Sequence, residues 1–327
     1  MSGRDSGGSP TAAGARPPFA PGRSTRRPPV KLGVVTPVLT LLPGAHAQWE
    51  VDAPFAEVVA IVQEAERLGY HHVTCSEHVG IPTAAASVRG GRYWDPAVTL
   101  GALGARTTTI RLATHVVVLG YHHPLALAKR FGTLDRMSDG RLVLGVGVGS
   151  LVEEFALLDA PFSDRGERAD DAMRALRAAL SREVPEYHGT HYDYSGFVVD
   201  PCAVQAHVPM WVGGRTARSL RRAVELGDGW APFGLRPDEL AAMLVGARDT
   251  DAWAARHRPD APVPFEIVLQ TERPLDPLAS PQAVGDEVAA LRELGATALN
   301  VRFVHHSPDH YREQLAALVA VVATPER

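Results

Sequence analysis

Apolar residues follow two alternating spacings along most of the chain. Short runs rich in β-branched residues, such as KLGVVT at 31–36 and HHVTCS at 71–76, indicate strands. Between these runs, residues 53–69 place apolar side chains at helical intervals and stop at Gly69, which is typical of a helix C-terminus. A strand, a helix and a further strand in this order predict a parallel β-α-β unit.

The same alternation continues to the end of the chain. Further strands are predicted at 109–120, 141–149, 208–214, 228–232, 264–270 and 297–303. Further helices are predicted at 95–107, 123–140, 163–180, 216–227, 237–257, 281–295 and 308–323. The first of these helices has Asp95 as its N-cap and Pro96 at its first position. Residues 183–208 interrupt the pattern, and we expect a hairpin there around Tyr187, Tyr192 and Tyr194.

Eight predicted strands, most of them followed by a helix, define the expected fold. Strict alternation favours a parallel sheet, and eight repeats favour a closed α/β barrel, the (β/α)8 TIM barrel, over an open doubly wound sheet. We expect one domain over residues 31–327, with variable loops at 79–94 and 183–205 that build a substrate pocket. In such barrels the catalytic residues stand at the carboxyl ends of the strands.

The first thirty residues differ from the rest of the chain. They consist largely of Gly, Pro, Ser, Ala and Arg, so residues 1–30 are predicted to form a disordered tail. Arg26 and Arg27 resemble a twin-arginine export signal, but Pro28 and Pro29 follow them and no long apolar region does. We therefore predict that the protein is not exported.

Composition and charge narrow the function classes. The chain has 327 residues, 45% of them hydrophobic, and a net charge of −4, which gives no reason to expect nucleic-acid or membrane partners. Two cysteines, Cys75 and Cys202, make no disulfide framework, and no apolar run is long enough to span a bilayer. A cytoplasmic protein that acts on a small molecule is the expectation.

A carboxylate and an imidazole, Glu77 and His78, stand side by side after the second predicted strand. A barrel would place this strand end at its catalytic face. A histidine there can donate to a carbonyl-like oxygen or transfer a proton, and an adjacent carboxylate raises the pKa of a histidine. The alternative is a polar cap on a buried strand.

Three glycines, Gly145, Gly147 and Gly149, occupy alternate positions of the fourth predicted strand. They line one face of it, where the missing side chains leave room for a ring or for another backbone. Their spacing is not that of a dinucleotide-binding loop. Tight packing within the barrel is the alternative explanation.

The fifth predicted strand ends in Gly213 and Gly214, and Arg215 and Thr216 lead into a helix. Free N–H groups, a helix N-terminus and a guanidinium together suit a phosphate. The alternative is an ordinary turn with a threonine cap. No metal site is predicted, because none of the His-His pairs at 71–72, 122–123 and 305–306 has metal-binding spacing.

Several long motifs show a family resemblance. They include LGYHHVTCSEHVGIP (68–82), HPLALAKRFGTLDRMSDGRLVLGVGVG (123–149) and VPMWVGGRTARSLRRAVELGDGWAP (208–232). In these motifs the chain resembles the luciferase-like monooxygenase superfamily, in the branch of coenzyme F420-dependent oxidoreductases, over residues 31–324. The resemblance implies a TIM barrel that holds FMN or the deazaflavin F420 at the carboxyl ends of its strands.

The resemblance also implies roles for individual residues. His78 would reach toward the substrate or the hydride-accepting carbon, and Glu77 replaces the aspartate found beside this histidine in relatives. A cis peptide that does not involve proline is implied between His115 and Val116, behind the cofactor ring. The predicted cofactor-binding residues are His115, Val116, Gly147, Gly149, Gly213, Gly214, Arg215 and Thr216.

Some positions depart from related patterns. Ser150 stands where some F420-dependent sugar dehydrogenases have a catalytic carboxylate, which argues against sugar-phosphate oxidation. Glu153 and Glu154 come later, at the start of a helix, and are interpreted as structural. Val148 stands where luciferase-type FMN sites have an arginine, and this favours F420.

The sequence and the resemblance are compatible with three functions. The first is hydride transfer with F420 to or from a small organic substrate, with Arg215, Arg218 and Arg92 as cations for the carboxylates of the cofactor tail. The second is FMN-dependent monooxygenation with reduced flavin from a partner reductase. The third is flavin binding without turnover. The resemblance further implies a homodimer.

Overall fold

The computed structural model describes residues 29–258, 263–271 and 273–323. Residues 1–28 of the predicted tail lie outside these ranges. Val30, which the prediction placed in the tail, is 7% exposed and packs in the hydrophobic core. Its neighbour Lys31 donates its backbone N–H to the carbonyl of Thr297. The tail boundary is therefore wrong at Val30, because this apolar side chain is buried together with the first strand.

Strands and helices alternate along the described chain. The strands are β1 (Lys31–Val35), β2 (His72–Cys75), β3 (Arg111–Thr114), β4 (Val117–Val118), β5 (Leu142–Gly147), β6 (Tyr187–His188), β7 (Asp193–Tyr194), β8 (Met210–Gly213), β9 (Gly229–Ala231), β10 (Glu266–Gln270) and β11 (Ala298–Val301). The helices are α1 (Trp49–Asp52), α2 (Phe55–Arg67), α3 (Ala86–Arg89), α4 (Pro96–Gly104), α5 (Pro124–Met137), α6 (Val152–Leu157), α7 (Arg165–Ala179), α8 (Ala217–Leu226), α9 (Pro237–Arg248), α10 (Asp251–Arg256), α11 (Pro281–Leu294) and α12 (Pro308–Ala323). Within the described ranges, no helix has both the length and the hydrophobicity to cross a bilayer.

Parallel pairing closes the main sheet into a barrel. In spatial order its strands are β1, β2, β3, β5, β8, β9, β10 and β11, and β11 pairs with β1 again. β4 continues the path of β3 and also pairs with β5, so the barrel has eight staves and the predicted (β/α)8 fold is confirmed. The predicted hairpin is present as well, since β6 and β7 pair antiparallel with Tyr187 opposite Tyr194.

Two predicted elements are divided in the structure. The strand predicted at 109–120 is broken into β3 and β4, and the peptide between them, His115–Val116, is cis, as the resemblance implied. The helix predicted at 237–257 is two helices, and Thr250 caps the second by accepting the backbone N–H of Trp253. Hydrophobic periodicity misses the first break because β-branched residues continue at 116–118. At the second break the polar residues 248–251 do interrupt the apolar pattern, and Thr250 with Asp251 was a cap signal that the prediction passed over.

Side chains fill the interior of the barrel below the strand ends. One cluster takes a residue from each of six staves: Ala113, Val143, Trp211, Ala231, Val268 and Ala298. The ring of His72 occupies the space beside Gly33, where a Cβ would lie 2.1 Å from it, and its Nε2 lies 2.6 Å from Oδ1 of Asn300. Burial lowers the pKa of His72 well below its ordinary value. The interior is therefore a packed core.

Candidate active site

A cavity of about 370 Å³ lies at the carboxyl ends of the strands. Each stave contributes a lining residue at its end or just after it. The predicted site residues that line the cavity are Glu77, His78, His115, Val116, Gly147, Gly149, Gly213 and Gly214. Arg215 and Thr216 are exposed and stand beyond this lining. Eight of the ten predicted site residues therefore line one cavity. The hydrogen bonds between their side chains could be read only from the structure.

The imidazole of His78 lines the cavity and is held by Glu154. Nδ1 of His78 lies 2.7 Å from Oε2 of Glu154, and the ring meets Tyr93 edge-on with 4.4 Å between centroids. When Nδ1–H donates to Glu154, Nε2 is the nitrogen left for a ligand. The side chain of His78 is 20% exposed and that of Glu154 is 1% exposed. The pair thus joins a buried carboxylate to an accessible imidazole.

Glu154 is surrounded by hydrogen-bond donors. Besides His78, its carboxylate accepts from the hydroxyl of Tyr121 at 2.8 Å and from the N–H groups of Val79 at 2.8 Å and Gly80 at 3.2 Å. Burial raises the pKa of Glu154, but the hydrogen bonds from His78, Tyr121 and Gly80 outweigh burial and lower it overall. Glu154 is therefore charged at neutral pH and can stabilise a protonated imidazole.

The interpretation of Glu154 as merely structural needs correction, and the sequence contained a signal for its role. Glu154 and Phe155 are the buried residues of α6, and Leu151 just before the helix is buried too, whereas the neighbouring Glu153 is exposed. α6 follows β5 directly, at the catalytic end of the barrel. A carboxylate on the buried face of a helix at this end is costly unless it has partners, and helical periodicity would have distinguished it from Glu153.

Glu77 does not contact His78, contrary to the expectation that it is the carboxylate partner of this histidine. Its Oε1 lies 2.7 Å from Nε2 of His122, and its Oε2 accepts the N–H of Val118 at 2.7 Å. The two adjacent side chains thus have different partners just beyond the end of β2. Glu77 therefore holds β4 and the segment after it, and Glu154 takes the place beside His78.

Glycines of β5 and β8 make room for the side chain of Val116. A Cβ on Gly147 would lie 2.7 Å from Cγ2 of Val116, and a Cβ on Gly213 would lie 2.7 Å from its Cγ1. The carbonyl of Val116 accepts the N–H of Glu77 at 3.2 Å. Packing against the divided third stave thus explains both glycines, and the bulge that they accommodate forms one wall of the cavity.

This packing leads to a stability prediction for Gly147. Gly147→Ala would place a methyl group against Val116, and overpacking of this kind costs about 1–3 kcal/mol of unfolding free energy. Val116→Ala in the same chain should recover part of the loss, because it removes the opposing methyl group. Gly101→Ala is the control, since nothing lies within 4 Å of a Cβ at Gly101 in α4. Urea denaturation of the single and double variants measures the coupling, and additive losses would contradict the proposed contact.

His115, on the same wall, is neutral at physiological pH. Burial lowers its pKa to about 4, with the positive charge of Arg302 as a smaller cause. The hydroxyl of Ser76 donates to its carbonyl at 2.8 Å, and the amide of Gln270 contacts its Nε2. His115 therefore presents an uncharged polar surface to the cavity.

The predicted phosphate turn is a capped helix start. The N–H of Ser219 donates to Oγ1 of Thr216 at 3.2 Å, and the N–H of Thr216 donates to Oγ of Ser219 at 3.1 Å. Gly214 has φ of +139°, which favours glycine. The guanidinium of Arg215 lies 6.0 Å from the ring of Phe233, which lines the cavity. The turn thus brings a helix N-terminus and a cation to the rim of the cavity.

Arg92 is not positioned as expected for a cofactor tail. Its guanidinium donates to the carbonyls of Glu50 at 2.9 Å and Val51 at 2.7 Å, so it holds α1 in place. Arg218 is exposed on α8. Arg92 therefore contacts the cavity wall through the backbone of Glu50, and Arg215, 6.0 Å from the ring of Phe233, is the predicted cation at the rim beside the phosphate turn.

The loop at 183–205 does not line the cavity, contrary to expectation. Its hairpin packs on α7, where the hydroxyl of Tyr187 donates to Asp171 and the N–H of His191 donates to the same carboxylate at 2.7 Å. The segment after β1, residues 36–50, lines the cavity together with the predicted loop at 79–94. The segment contains few charged residues. Neither this composition nor its length indicated that it would line the cavity.

Comparison with known proteins identifies the family. Residues 33–272 match the luciferase-like monooxygenases. An uncharacterized protein of Mycobacterium tuberculosis is 32% identical over 279 residues, which are 80% of this chain and 93% of that protein. The F420-dependent glucose-6-phosphate dehydrogenase of Microbacterium testaceum is 30% identical over 208 residues, which are 62% of this chain and 60% of that enzyme. The solved structure of monooxygenase RslO1 from Streptomyces bottropensis is similar with a TM-score of 0.70 and 23% identity, covering 89% of this chain and 98% of that one. The chain therefore belongs to the luciferase-like monooxygenase family.

Proposed function

We propose that this protein is an oxidoreductase that uses coenzyme F420 to transfer a hydride to or from a small organic substrate. The observation that carries the proposal is the His78–Glu154 pair in the cavity at the carboxyl ends of the strands. Adding a hydride to a C=O or C=N bond, or removing one from an alcohol or amine, must be accompanied by transfer of a proton. His78 is an accessible group that can exchange this proton.

The residues around the cavity fit a flat ring that carries a phosphate. Val116 with Gly147 and Gly213 would hold the ring, because the glycines leave this wall free of other side chains. The turn at Gly214 and the N–H groups of Ala217 and Arg218, which precede the capped N–H of Ser219 at the start of α8, would hold the phosphate. F420 bound there supplies a ring carbon that accepts or gives a hydride.

His78 would act on the substrate through Nε2. Glu154 accepts Nδ1–H and so fixes the tautomer in which Nε2 is an acceptor when the ring is neutral. The same carboxylate stabilises the ring once it is protonated. Tyr93 on the ring edge and the N–H groups of Val79 and Gly80 on Glu154 keep the pair in this orientation.

The second candidate is FMN-dependent monooxygenation with reduced flavin from a partner reductase. One observation favours it: two N–H groups of Arg92 already donate to the backbone carbonyls of Glu50 and Val51, which leaves this guanidinium less available to the carboxylate tail of F420. A phosphate bound at the turn after β8 satisfies FMN without any tail site. Val148, which takes the place of the luciferase-type arginine, supports F420 instead.

Titration of the apo-protein separates the two cofactors. We expect F420 to bind with micromolar affinity and FMN to bind at least tenfold more weakly, a difference of about 1.4 kcal/mol. Fluorescence or calorimetric titration measures both dissociation constants. Micromolar FMN binding without F420 binding would reverse the assignment and favour monooxygenation.

The Arg215→Gln variant makes the same titration specific for the phosphate turn. A lost charge-assisted hydrogen bond should weaken the preferred cofactor by about tenfold or more. The phosphate-free parent of that cofactor, riboflavin or the corresponding deazaflavin, should bind wild type and variant alike. Arg221→Gln on the exposed side of α8 is the matched control. Equal affinity of Arg215→Gln and wild type for the phosphorylated cofactor would remove Arg215 from the site.

A further inference from the structure

The guanidinium of Arg302 lines the cavity without a carboxylate partner. It follows β11 directly and is partly buried. Between described residues, no carboxylate oxygen lies within 4.0 Å of Arg302 and no side-chain hydrogen bond satisfies it. Burial lowers the pKa of Arg302, which shows that its charge is held partly out of water. A partly buried cation without a partner is costly, so it indicates a place for an anion.

Glu50 is the carboxylate whose charge acts on Arg302. Its oxygens already have hydrogen-bond partners elsewhere. Its oxygens accept the N–H groups of Val38 and Ala47, both at 2.8 Å, and one lies 3.4 Å from Nε2 of His305. Glu50 therefore supports the loop after β1 and α1 rather than Arg302. These contacts leave the hydrogen-bond donors of the Arg302 guanidinium available to a ligand.

Arg89 brings a second cation to the same part of the cavity. It is exposed at the rim, and it too has no carboxylate within 4.0 Å among the described residues. Tyr93 is near both arginines: its hydroxyl donates to the carbonyl of Arg89 at 2.8 Å, and the positive charges of Arg89 and Arg302 both lower the pKa of this hydroxyl against the effect of burial. Tyr93 is also the residue that contacts the ring of His78. The cations are thus connected to the proposed proton-transfer group through one side chain.

The position of Arg302 in the barrel assigns it to the substrate rather than to the cofactor. In the order of the staves, β11 is four places from β5 in either direction, so the two are opposite each other. β5 carries Gly147 on the wall that would hold the cofactor ring. A ligand bound between this wall and Arg302 would have its reacting face toward the cofactor and its charged end toward β11.

We propose that the substrate carries a carboxylate group, which Arg302 binds at the carboxyl end of β11 with Arg89 at the rim. A planar guanidinium can bind a carboxylate with two parallel hydrogen bonds. The carboxylate would fix one end of the substrate and leave the reacting carbon near His78. This inference deepens the proposed function and rests on it, because it takes the cavity to be the place where substrate reacts.

Small ligands that differ in one group test the proposal on the apo-protein. Benzoate, benzamide and phenyl phosphate have the same ring, and ligand-observed NMR titration gives their dissociation constants without any cofactor. We expect benzoate to bind about ten- to a hundredfold more tightly than benzamide, the usual range for a hydrogen-bonded charge. Arg302→Met and Arg302→Gln should abolish this preference, and Arg302→Lys should retain part of it. Arg136→Met, which removes an exposed arginine of α5, is the charge-matched control and should leave the preference unchanged.

Three results would overturn the proposal. Equal binding of benzoate and benzamide, or no binding of benzoate, would show that no carboxylate site exists. Tighter Arg302-dependent binding of phenyl phosphate would replace the carboxylate with a phosphate. Weaker binding of F420 or FMN to Arg302→Met, with the benzoate preference intact, would assign Arg302 to the cofactor. Failure of wild type to bind either cofactor would instead contradict the proposed function, and the apo-protein preference for benzoate would still be measurable.

Discussion

His78→Ala is expected to lower turnover by about 10²–10⁴-fold, the usual contribution of a general acid or base. The fold and the affinity for cofactor should be retained, because His78 is partly exposed and its hydrogen bond is to Glu154. It makes no hydrogen bond to the cavity wall formed by Val116, Gly147 and Gly213. Steady-state kinetics with the cofactor identified by titration measures the loss, and circular dichroism checks the fold. If both His78→Ala and Glu77→Gln kept wild-type turnover, these two residues would be only a polar cap after β2 and would have no catalytic role.

Glu154→Gln tests whether the buried carboxylate acts through His78. Anionic Glu154 stabilises the ring of His78 when the ring accepts a proton, so Glu154→Gln should lower kcat and leave the affinity for cofactor unchanged. The loss of turnover should be smaller than for His78→Ala, because Nε2 is still present. Glu153→Gln is the matched control, since it makes the same chemical change on the exposed face of α6. A loss of unfolding free energy with unchanged kcat would show that Glu154 only stabilises the fold.

The largest expected effect on stability is at Asp228, away from the cavity. Its side chain is 2% exposed and accepts from Arg177 and Arg256, both at 2.6 Å, from His207 at 2.9 Å and from the N–H of Met210 at 2.9 Å. Removal of one partner from a buried ionic cluster typically costs about 3–5 kcal/mol. Asp228→Asn should therefore lose unfolding free energy near the lower end of this range, because both arginines remain partly accessible to water.

The same cluster predicts a pH dependence. Burial raises the pKa of Asp228, but the bond from His207, the charge of Arg177 and the N–H of Met210 outweigh burial and lower it from 3.8 to about 2. A depressed folded-state pKa gives stability that is complete above about pH 4 and is lost as the pH falls through about 2. About 2 kcal/mol of the wild-type stability should disappear over this interval.

Urea denaturation between pH 5 and pH 2 compares wild type with Asp228→Asn. The difference in unfolding free energy between them should shrink as the pH falls, since wild type loses the same charge by protonation. Asp238→Asn is the control, because Asp238 is fully exposed and its pair with Arg236 should contribute little. A difference that stays constant down to pH 2 would show that the charge of Asp228 is not what stabilises the cluster.

Local patterns predicted the elements because they are properties of neighbouring residues. The alternation of short β-branched runs with amphipathic helices predicted the staves of the barrel, and Asp95 was correctly assigned as an N-cap, since it accepts the N–H of Val98 at 2.9 Å. The family motifs predicted the cis peptide at His115–Val116. Periodicity alone would not have found this peptide, because Val116 begins the apolar run 116–119, which is typical of a continuing strand.

The tertiary structure decided which predicted residues act together. The segment after β1 lines the cavity, and the hairpin at 183–205 does not, because Asp171 binds that hairpin to the outer face of α7. The guanidinium of Arg92 donates hydrogen bonds to the carbonyls of Glu50 and Val51. Sequence position does not reveal these hydrogen bonds, since each one joins residues from different parts of the chain.

The sequence by itself determined the barrel and the strand ends at which a site would form. It also placed Glu77 directly beside His78, but the two side chains bind different partners, His122 for Glu77 and Glu154 for His78. Glu154 is 76 residues away in sequence, and closure of the barrel brings its helix after β5 to the loop after β2. Only the tertiary structure could decide which carboxylate holds the imidazole, because side-chain direction and barrel closure, rather than distance along the chain, determine the contact.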